Sequence, residues 1–242
     1  MNVPPDTLDI VINFIRTRVS DANSGGVVLG LSGGIDSAVT LSLAVKALGS
    51  DKVTGLVMPF TLTESVDLAT SHAKSLSVDT KLIDISDIVS SYKANSSLFS
   101  EQLSEGNLHS RIRMSLLYGA GFSSNHLVIG TSNKSELLIG YWTKWGDGGT
   151  DFLPIGDLYK TQVFELGKIL SIPSEILVRK PTAELWPDQT DEQEFGFTYD
   201  ELDSVLFELE SFNSVSQINE KTGISLEKIQ FLKSSSHLWV NI

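Results

Sequence analysis

Apolar residues recur along the first half of the chain in two alternating periods. Leu8, Ile12, Ile15 and Val19 are three or four residues apart, which predicts an opening helix. Residues 27–31 are a short apolar run that ends in a Ser-Gly-Gly turn, the pattern of a buried strand. Helical spacing returns over 35–48, and 53–58 reads as a second strand stopped by Pro59. Thr61 and Glu64 have the spacing of a capping box for a helix that runs to about Leu76. Residues 81–85 and 127–130 predict a third and a fourth strand. Between these, 112–122 is apolar on most sides and predicts a helix that is buried or faces a second copy of the chain.

Beyond Lys160 the pattern is helical only. One helix is predicted over 161–170, ended near Pro173, and two more are capped by Thr198 with Glu201 and by Ser214 with Gln217. Residues 181–196 are polar and aperiodic and read as a mobile loop. Strands alternating with helices predict an α/β fold: a Rossmann-like doubly wound parallel sheet with flanking helices and a helical C-terminal portion. A single domain over 1–242 is the simplest organisation.

Composition narrows the chemistry. The chain lacks cysteine, which excludes disulfides, thiolate catalysis and cysteine-ligated metal centres. Its four histidines, His72, His109, His126 and His237, have no metal-ligand spacing. Residues 1–20 carry Asp6, Asp9, Arg16 and Arg18 instead of a signal-peptide apolar run, and no segment has the length of a membrane span, so a cytoplasmic location is expected. A net charge of -12, from 30 acidic and 18 basic residues, argues against general nucleic-acid binding. Basic residues still gather mid-chain, at Arg111, Arg113, Lys134, Lys144, Lys160, Arg179 and Lys180, where an anionic small molecule would be held.

The most informative segment is Gly30-Leu31-Ser32-Gly33-Gly34-Ile35-Asp36-Ser37, between a predicted strand and a predicted helix. Glycines let the backbone approach a phosphate, and the helix start offers free N–H groups. The segment is neither a Walker A loop nor a G-x-G-x-x-G fingerprint. Where a Walker loop has lysine it carries Asp36, which suits phosphates if a Mg²⁺ lies between them.

Ser32-Gly33-Gly34-Ile35-Asp36-Ser37 resembles the pyrophosphate loop of the adenine-nucleotide alpha-hydrolase superfamily, whose members split ATP between the α- and β-phosphates. Within that superfamily the later segments resemble the ammonia-dependent NAD synthetases. These are Asn107-Leu108-His109-Ser110-Arg111-Ile112-Arg113-Met114, with Ser110 in place of the usual alanine, and Gly130-Thr131-Ser132-Asn133-Lys134-Ser135-Glu136. The most specific is Gly140-Tyr141-Trp142-Thr143-Lys144-Trp145-Gly146-Asp147-Gly148-Gly149-Thr150-Asp151. Leu158-Tyr159-Lys160, Lys180-Pro181-Thr182 and Asp191-Glu192 complete the set.

The resemblance implies ATP-dependent amidation of deamido-NAD by ammonia through an acyl adenylate, giving NAD, AMP and pyrophosphate. It implies Mg²⁺ on Asp36 and Glu136, and ATP contacts from the Gly30 to Ser37 loop, Met58, Thr131, Lys160 and Thr182. Arg111, Lys144, Asp151 and His237 would bind deamido-NAD; Asp36, Lys160 and Asp151 are the expected catalytic group. A homodimer is expected, and free ammonia is the expected nitrogen donor, with a separate glutaminase subunit left open. The C-terminus departs from the family, since Leu238 follows His237 where relatives have a His-Lys pair.

Each residue also has a plainer reading. Arg111 and Arg113 suit exposed helix charges, Lys144 can lie beside Trp142 and Trp145, Glu136 can cap a helix, and Asp147 and Asp151 can be turn residues. Two other functions stay open at this point: adenylation of another carboxylate or a tRNA base, and nucleotide binding without catalysis, as in universal stress proteins.

Overall fold

The computed structural model describes residues 1–182 and 189–235. In chain order these form α1 (Thr7–Asp21), β1 (Gly26–Gly30), α2 (Ile35–Leu48), β2 (Val53–Val57), α3 (Glu64–Ser75), β3 (Asp79–Leu82), α4 (Ser86–Asn95) and α5 (Gln102–Ser124). There follow β4 (His126–Val128), α6 (Lys134–Ile139), α7 (Lys160–Ile169), α8 (Ser174–Leu177), α9 (Asp191–Phe195), α10 (Tyr199–Glu210), α11 (Val215–Thr222) and α12 (Leu226–Ser235).

The sheet is parallel, in the order β3-β2-β1-β4. Successive strand residues point to opposite faces, and the sequence uses both. Val27 and Leu29 enter the core beneath α1, α2 and α7, whereas Val28, Leu56 and Val128 enter a second core with α4 and α5. This is the expected sheet covered on both faces. A third cluster, around Leu202, Val205, Leu206, Ile218 and Ile229, holds the C-terminal helices together. The chain adds β2 and β3 on one side of β1 and then returns to place β4 on the other. The direction of winding therefore reverses between β1 and β4, and in open parallel sheets ligands bind beyond the strand ends at such a point.

Several expectations are corrected. The N-cap of α3 is Thr63, not Thr61, and it makes no side-chain cap bond; its Oγ1 donates to Ser65 Oγ at 3.0 Å instead. The third strand starts earlier, at Asp79, because it is an edge strand whose residues need little burial. Its ladder does continue, with Ile83 N donating to Val57 O and Ile85 N to Pro59 O. The 112–122 helix begins ten residues sooner, at Gln102, and buries polar Asn107, His109 and Ser110 along with apolar residues. Ile112, Leu117 and Gly121 are buried, while Tyr118 and Phe122 are exposed. The polar 181–196 segment contains α9, which is anchored by buried Asp191 and by Phe195 packed edge-on against Tyr141 and Tyr199.

Candidate active site

The loop after β1 and the loop after β4 flank the reversal point, and their side chains converge there. Gly33 has φ +79°, and a Cβ at this position would collide with the Ser65 carbonyl oxygen, so only glycine fits the turn. The loop is braced from within. Ser37 Oγ donates to Gly34 O at 3.0 Å, Gly34 N donates to Ser32 Oγ at 3.2 Å, and the two serine hydroxyls lie 3.2 Å apart. Gly34 is the N-cap of α2, so the amides of Ile35, Asp36 and Ser37 form the helix turn that lacks intrahelical acceptors. Leu31 and Ile35 are buried and hold this turn against the core.

Asp36 sits in that first turn. Its Oδ2 accepts from Lys160 Nζ at 2.6 Å, and its Oδ1 accepts from Asn133 Nδ2 at 3.0 Å. Lys160 also reaches Glu136 Oε1, at 3.2 Å. Asn133 and Glu136 form a capping box at the start of α6, with Glu136 N donating to Asn133 Oδ1 and Asn133 N donating to Glu136 Oε2. Glu136 therefore caps its helix, as its plainer reading had it, and still presents one oxygen to Lys160. α7 brings Lys160 in because Gly167 lets it pack closely on α2; a Cβ there would lie 2.9 Å from Ile35 Cδ1.

The electrostatics of this cluster are unbalanced. The Lys160 side chain is 3% exposed, against 18% for Asp36 and 15% for Glu136. Burial disfavours the ammonium, but the Asp36 and Glu136 carboxylates outweigh it and hold the Lys160 pKa above its ordinary value. Glu136 is pushed up to about 8 by burial, opposed by Lys160 and reinforced by Asp36 and Asp191. Asp191 is likewise raised, chiefly by burial. Asp36 and Glu136 thus share one ammonium, with Asp191 adding its field from behind.

Behind Lys160 lies a layer to which the sequence reading gave no role. The Tyr199 ring faces Lys160 Nζ at 4.9 Å, and its hydroxyl donates to Asp191 Oδ2 at 2.9 Å. Tyr141 donates to Asp191 Oδ1 at 3.2 Å and to Glu194 Oε2 at 2.6 Å. Asp191 N donates to Pro181 O at 3.2 Å, which ties the two sides of the segment that includes 183–188. Asn133 alone left a legible signal, an asparagine three residues before a glutamate ahead of an apolar run.

The expected dinucleotide residues occupy a different region. Arg111 Nε donates to Lys144 O at 3.2 Å, and Lys144 Nζ lies 5.6 Å from the Trp145 ring centre. Ser110 and Asp147 are paired twice: Ser110 Oγ donates to Asp147 Oδ1 at 2.6 Å, and Asp147 N donates to Ser110 Oγ at 2.9 Å. Asp147 Oδ1 also accepts from Thr143 N at 3.0 Å, which makes it the turn residue anticipated. Asp151 bonds the end of β4 and not the Lys160 cluster: Val128 N donates to it at 2.7 Å and Tyr118 OH at 3.0 Å.

Met58 is buried beneath Gly30, and its carbonyl accepts from Arg113 Nε at 2.9 Å, so any contact to a nucleotide would come from the backbone around it. Thr131 is half-buried at the end of β4, and Thr182 closes the described segment before 183–188. His237 lies outside the described residues.

Comparison with known proteins places this geometry. The family model described as NAD synthase matches residues 7–237. A relative from Archaeoglobus fulgidus named NH(3)-dependent NAD(+) synthetase is 53% identical over 199 residues, 81% of this chain and 80% of that protein. The structure of NMN synthetase from Francisella tularensis has a TM-score of 0.85 at 36% identity, covering 100% of this chain and 98% of that one. The NH3-dependent NAD synthetase from Campylobacter jejuni subsp. jejuni NCTC 11168, in complex with the nitrate ion, has a TM-score of 0.82 at 34% identity, covering 97% and 93%. Sequence, family model and fold agree over most of the chain: it belongs to the NAD synthase family.

Proposed function

We propose that this chain amidates deamido-NAD with ammonia and ATP, yielding NAD, AMP and pyrophosphate, in the cytoplasm. The observation that carries this reading is the meeting of Asp36, Glu136 and Lys160 at the reversal point beside the glycine turn. The turn and the first amides of α2 would receive the ATP phosphates. Lys160, rigidly held and charged, would face the pyrophosphate as it departs, the moment of greatest charge development in the first step. Arg111 and Lys144, with Asp151 near the end of β4, would hold the acid dinucleotide so that its carboxylate meets the α-phosphorus. The acyl adenylate then gives up AMP when ammonia attacks its carbonyl, and no side-chain nucleophile is needed.

Asp36 and Glu136 would hold Mg²⁺. Two hard carboxylates are the protein's usual share for this ion when substrate phosphates and water supply the rest. Among the described residues no group of three or more His, Asp or Glu is placed to bind a metal. When bound, Mg²⁺ supplies charge neutralisation on the phosphates. Thr131, Thr182 and the backbone near Met58 are further proposed ATP contacts, and His237 a proposed dinucleotide contact. A second copy of the chain would cover the exposed Tyr118 and Phe122 face of α5. Among the described residues no helix is long and apolar enough to cross a membrane.

The test is NAD formation from deamido-NAD, ATP, Mg²⁺ and ammonium, with nicotinic acid mononucleotide and with glutamine as parallel arms. The proposal expects kcat/KM to favour the dinucleotide and glutamine to be inert. Preference for the mononucleotide would move the substrate toward the activity named for the Francisella relative.

A further inference from the structure

The best-buried carboxylate near the site has no part in the chemistry above. Asp203, in the middle of α10, is completely buried, on the helix whose Leu202, Val205 and Leu206 belong to the apolar cluster of the C-terminal helices. A carboxylate in such a place costs far more than a leucine would, so its position calls for a function in what it bonds.

Its bonds are specific. Ser135 Oγ donates to Asp203 Oδ1, and Thr161 N donates to Asp203 Oδ2 at 2.8 Å. Ser135 Oγ in turn accepts from Lys160 N, also at 2.8 Å. Ser135 immediately precedes Glu136, and Thr161 immediately follows Lys160. One carboxylate thus grips the residues next to Glu136 and Lys160, across 68 positions to Ser135 and 42 to Thr161. We propose that Asp203 is a positioning residue for the reaction: it fixes the starts of α6 and α7 so that Glu136 and Lys160 meet Asp36.

The proposal rests on the reading of Lys160 as the residue that faces the phosphates. An amide in place of the carboxylate keeps the shape but turns one acceptor into a donor. If the amide oxygen keeps the Thr161 N–H, the Ser135 hydroxyl loses its acceptor and must instead receive the amide N–H, which disturbs its bridge to Lys160 N. A displacement of about 1 Å at a reacting group costs about 10²-fold in rate.

The experiment compares Asp203→Asn, Ser135→Ala and Lys160→Ala with the intact protein, following kcat, KM for deamido-NAD, melting temperature and calorimetric ATP binding. For Asp203→Asn the expected result is a kcat loss of about 10²-fold, with KM for deamido-NAD within about twofold. ATP binding weakens as well, because Lys160 no longer points to the phosphates. Ser135→Ala, which removes both the bond to Asp203 and the bridge to Lys160 N, is expected to lose about tenfold in kcat with the fold intact. Folded Asp203→Asn with near-normal kcat overturns the proposal. If Asp203→Asn does not fold, Ser135→Ala decides, and unchanged kcat there overturns it. A fully active Lys160→Ala would instead bring down the reading of Lys160, and the positioning role with it. Inactive Lys160→Ala beside normal Asp203→Asn and Ser135→Ala would remove the positioning role alone.

Discussion

Replacing Lys160 with methionine nearly keeps the length of the side chain and removes the ammonium that opposes Asp36, Glu136 and Asp191. Removing one partner from a buried ion pair typically costs 3–5 kcal/mol, so the variant is expected to lose about that much stability at neutral pH. For a chain of this size the loss corresponds to roughly 6–20 °C in melting temperature. The deficit must depend on pH. Glu136 is already pushed up to about 8 with Lys160 present, chiefly by burial, and without the ammonium it is driven further up. A carboxyl whose folded pKa is raised stabilises the fold at low pH and loses that contribution as pH rises through the folded value. The gap between variant and wild type should therefore narrow as pH falls toward about 8 and stay level below it, where Glu136 is protonated in both folded proteins. Activity should fall by at least 10²–10³-fold in kcat, the usual cost of removing one preorganised electrostatic partner. Paired melting curves across pH and a coupled AMP assay give both readouts. A melting deficit of the same size at every pH, or a kcat near wild type, would refute the reasoning.

Further outcomes follow from other residues. Gly33→Ala forces a Cβ onto the Ser65 carbonyl at φ +79°, and should cost about 1–3 kcal/mol while ATP binding is lost; calorimetry with ATP on folded variant checks this. Ser110→Ala removes both bonds to Asp147, and should raise KM for deamido-NAD with KM for ATP unchanged, since the Thr143 to Gly149 turn carrying Lys144 loses one of its anchors on α5. His109 is lowered from 6.5 to about 4, first by burial and then by Arg113. Its contribution is complete above pH 6.5 and is lost as pH falls through about 4, at most ~3 kcal/mol in all. Melting temperatures of wild type and His109→Gln should converge on acidification, and parallel curves would refute that assignment.

The parts of this molecule written in local spacing were legible in its sequence. The helix over 35–48 matches α2 residue for residue, and the Thr198–Glu201 and Ser214–Gln217 caps are formed as capping boxes, because both depend on neighbours three or four positions away. The glycine turn with Asp36 was legible for the same reason. α4 was not, since it buries little besides Val89 and so leaves no apolar stripe. α3 starts at Glu64 behind Thr63, not Thr61, and its Ser65 is engaged by Arg179 Nη2 at 2.7 Å, a partner 114 positions away that local spacing does not show. Asp203 and Tyr199 were invisible for that reason too: their roles come from contacts between distant helices, and on their own helix they look like ordinary amphipathic residues. Asp151 shows the converse, a motif residue whose bonds in this structure, to Val128 and Tyr118, local spacing did not show.

The central claim is that the carboxylate of deamido-NAD attacks the α-phosphorus of ATP at the Asp36, Glu136 and Lys160 cluster. Deamido-NAD labelled with ¹⁸O in its nicotinate carboxylate tests this most directly, with AMP and NAD analysed by mass spectrometry after turnover with ammonium. The account predicts that each AMP carries one ¹⁸O from the carboxylate, that the other stays in the amide carbonyl of NAD, and that pyrophosphate is unlabelled. Unlabelled AMP formed alongside NAD would contradict it.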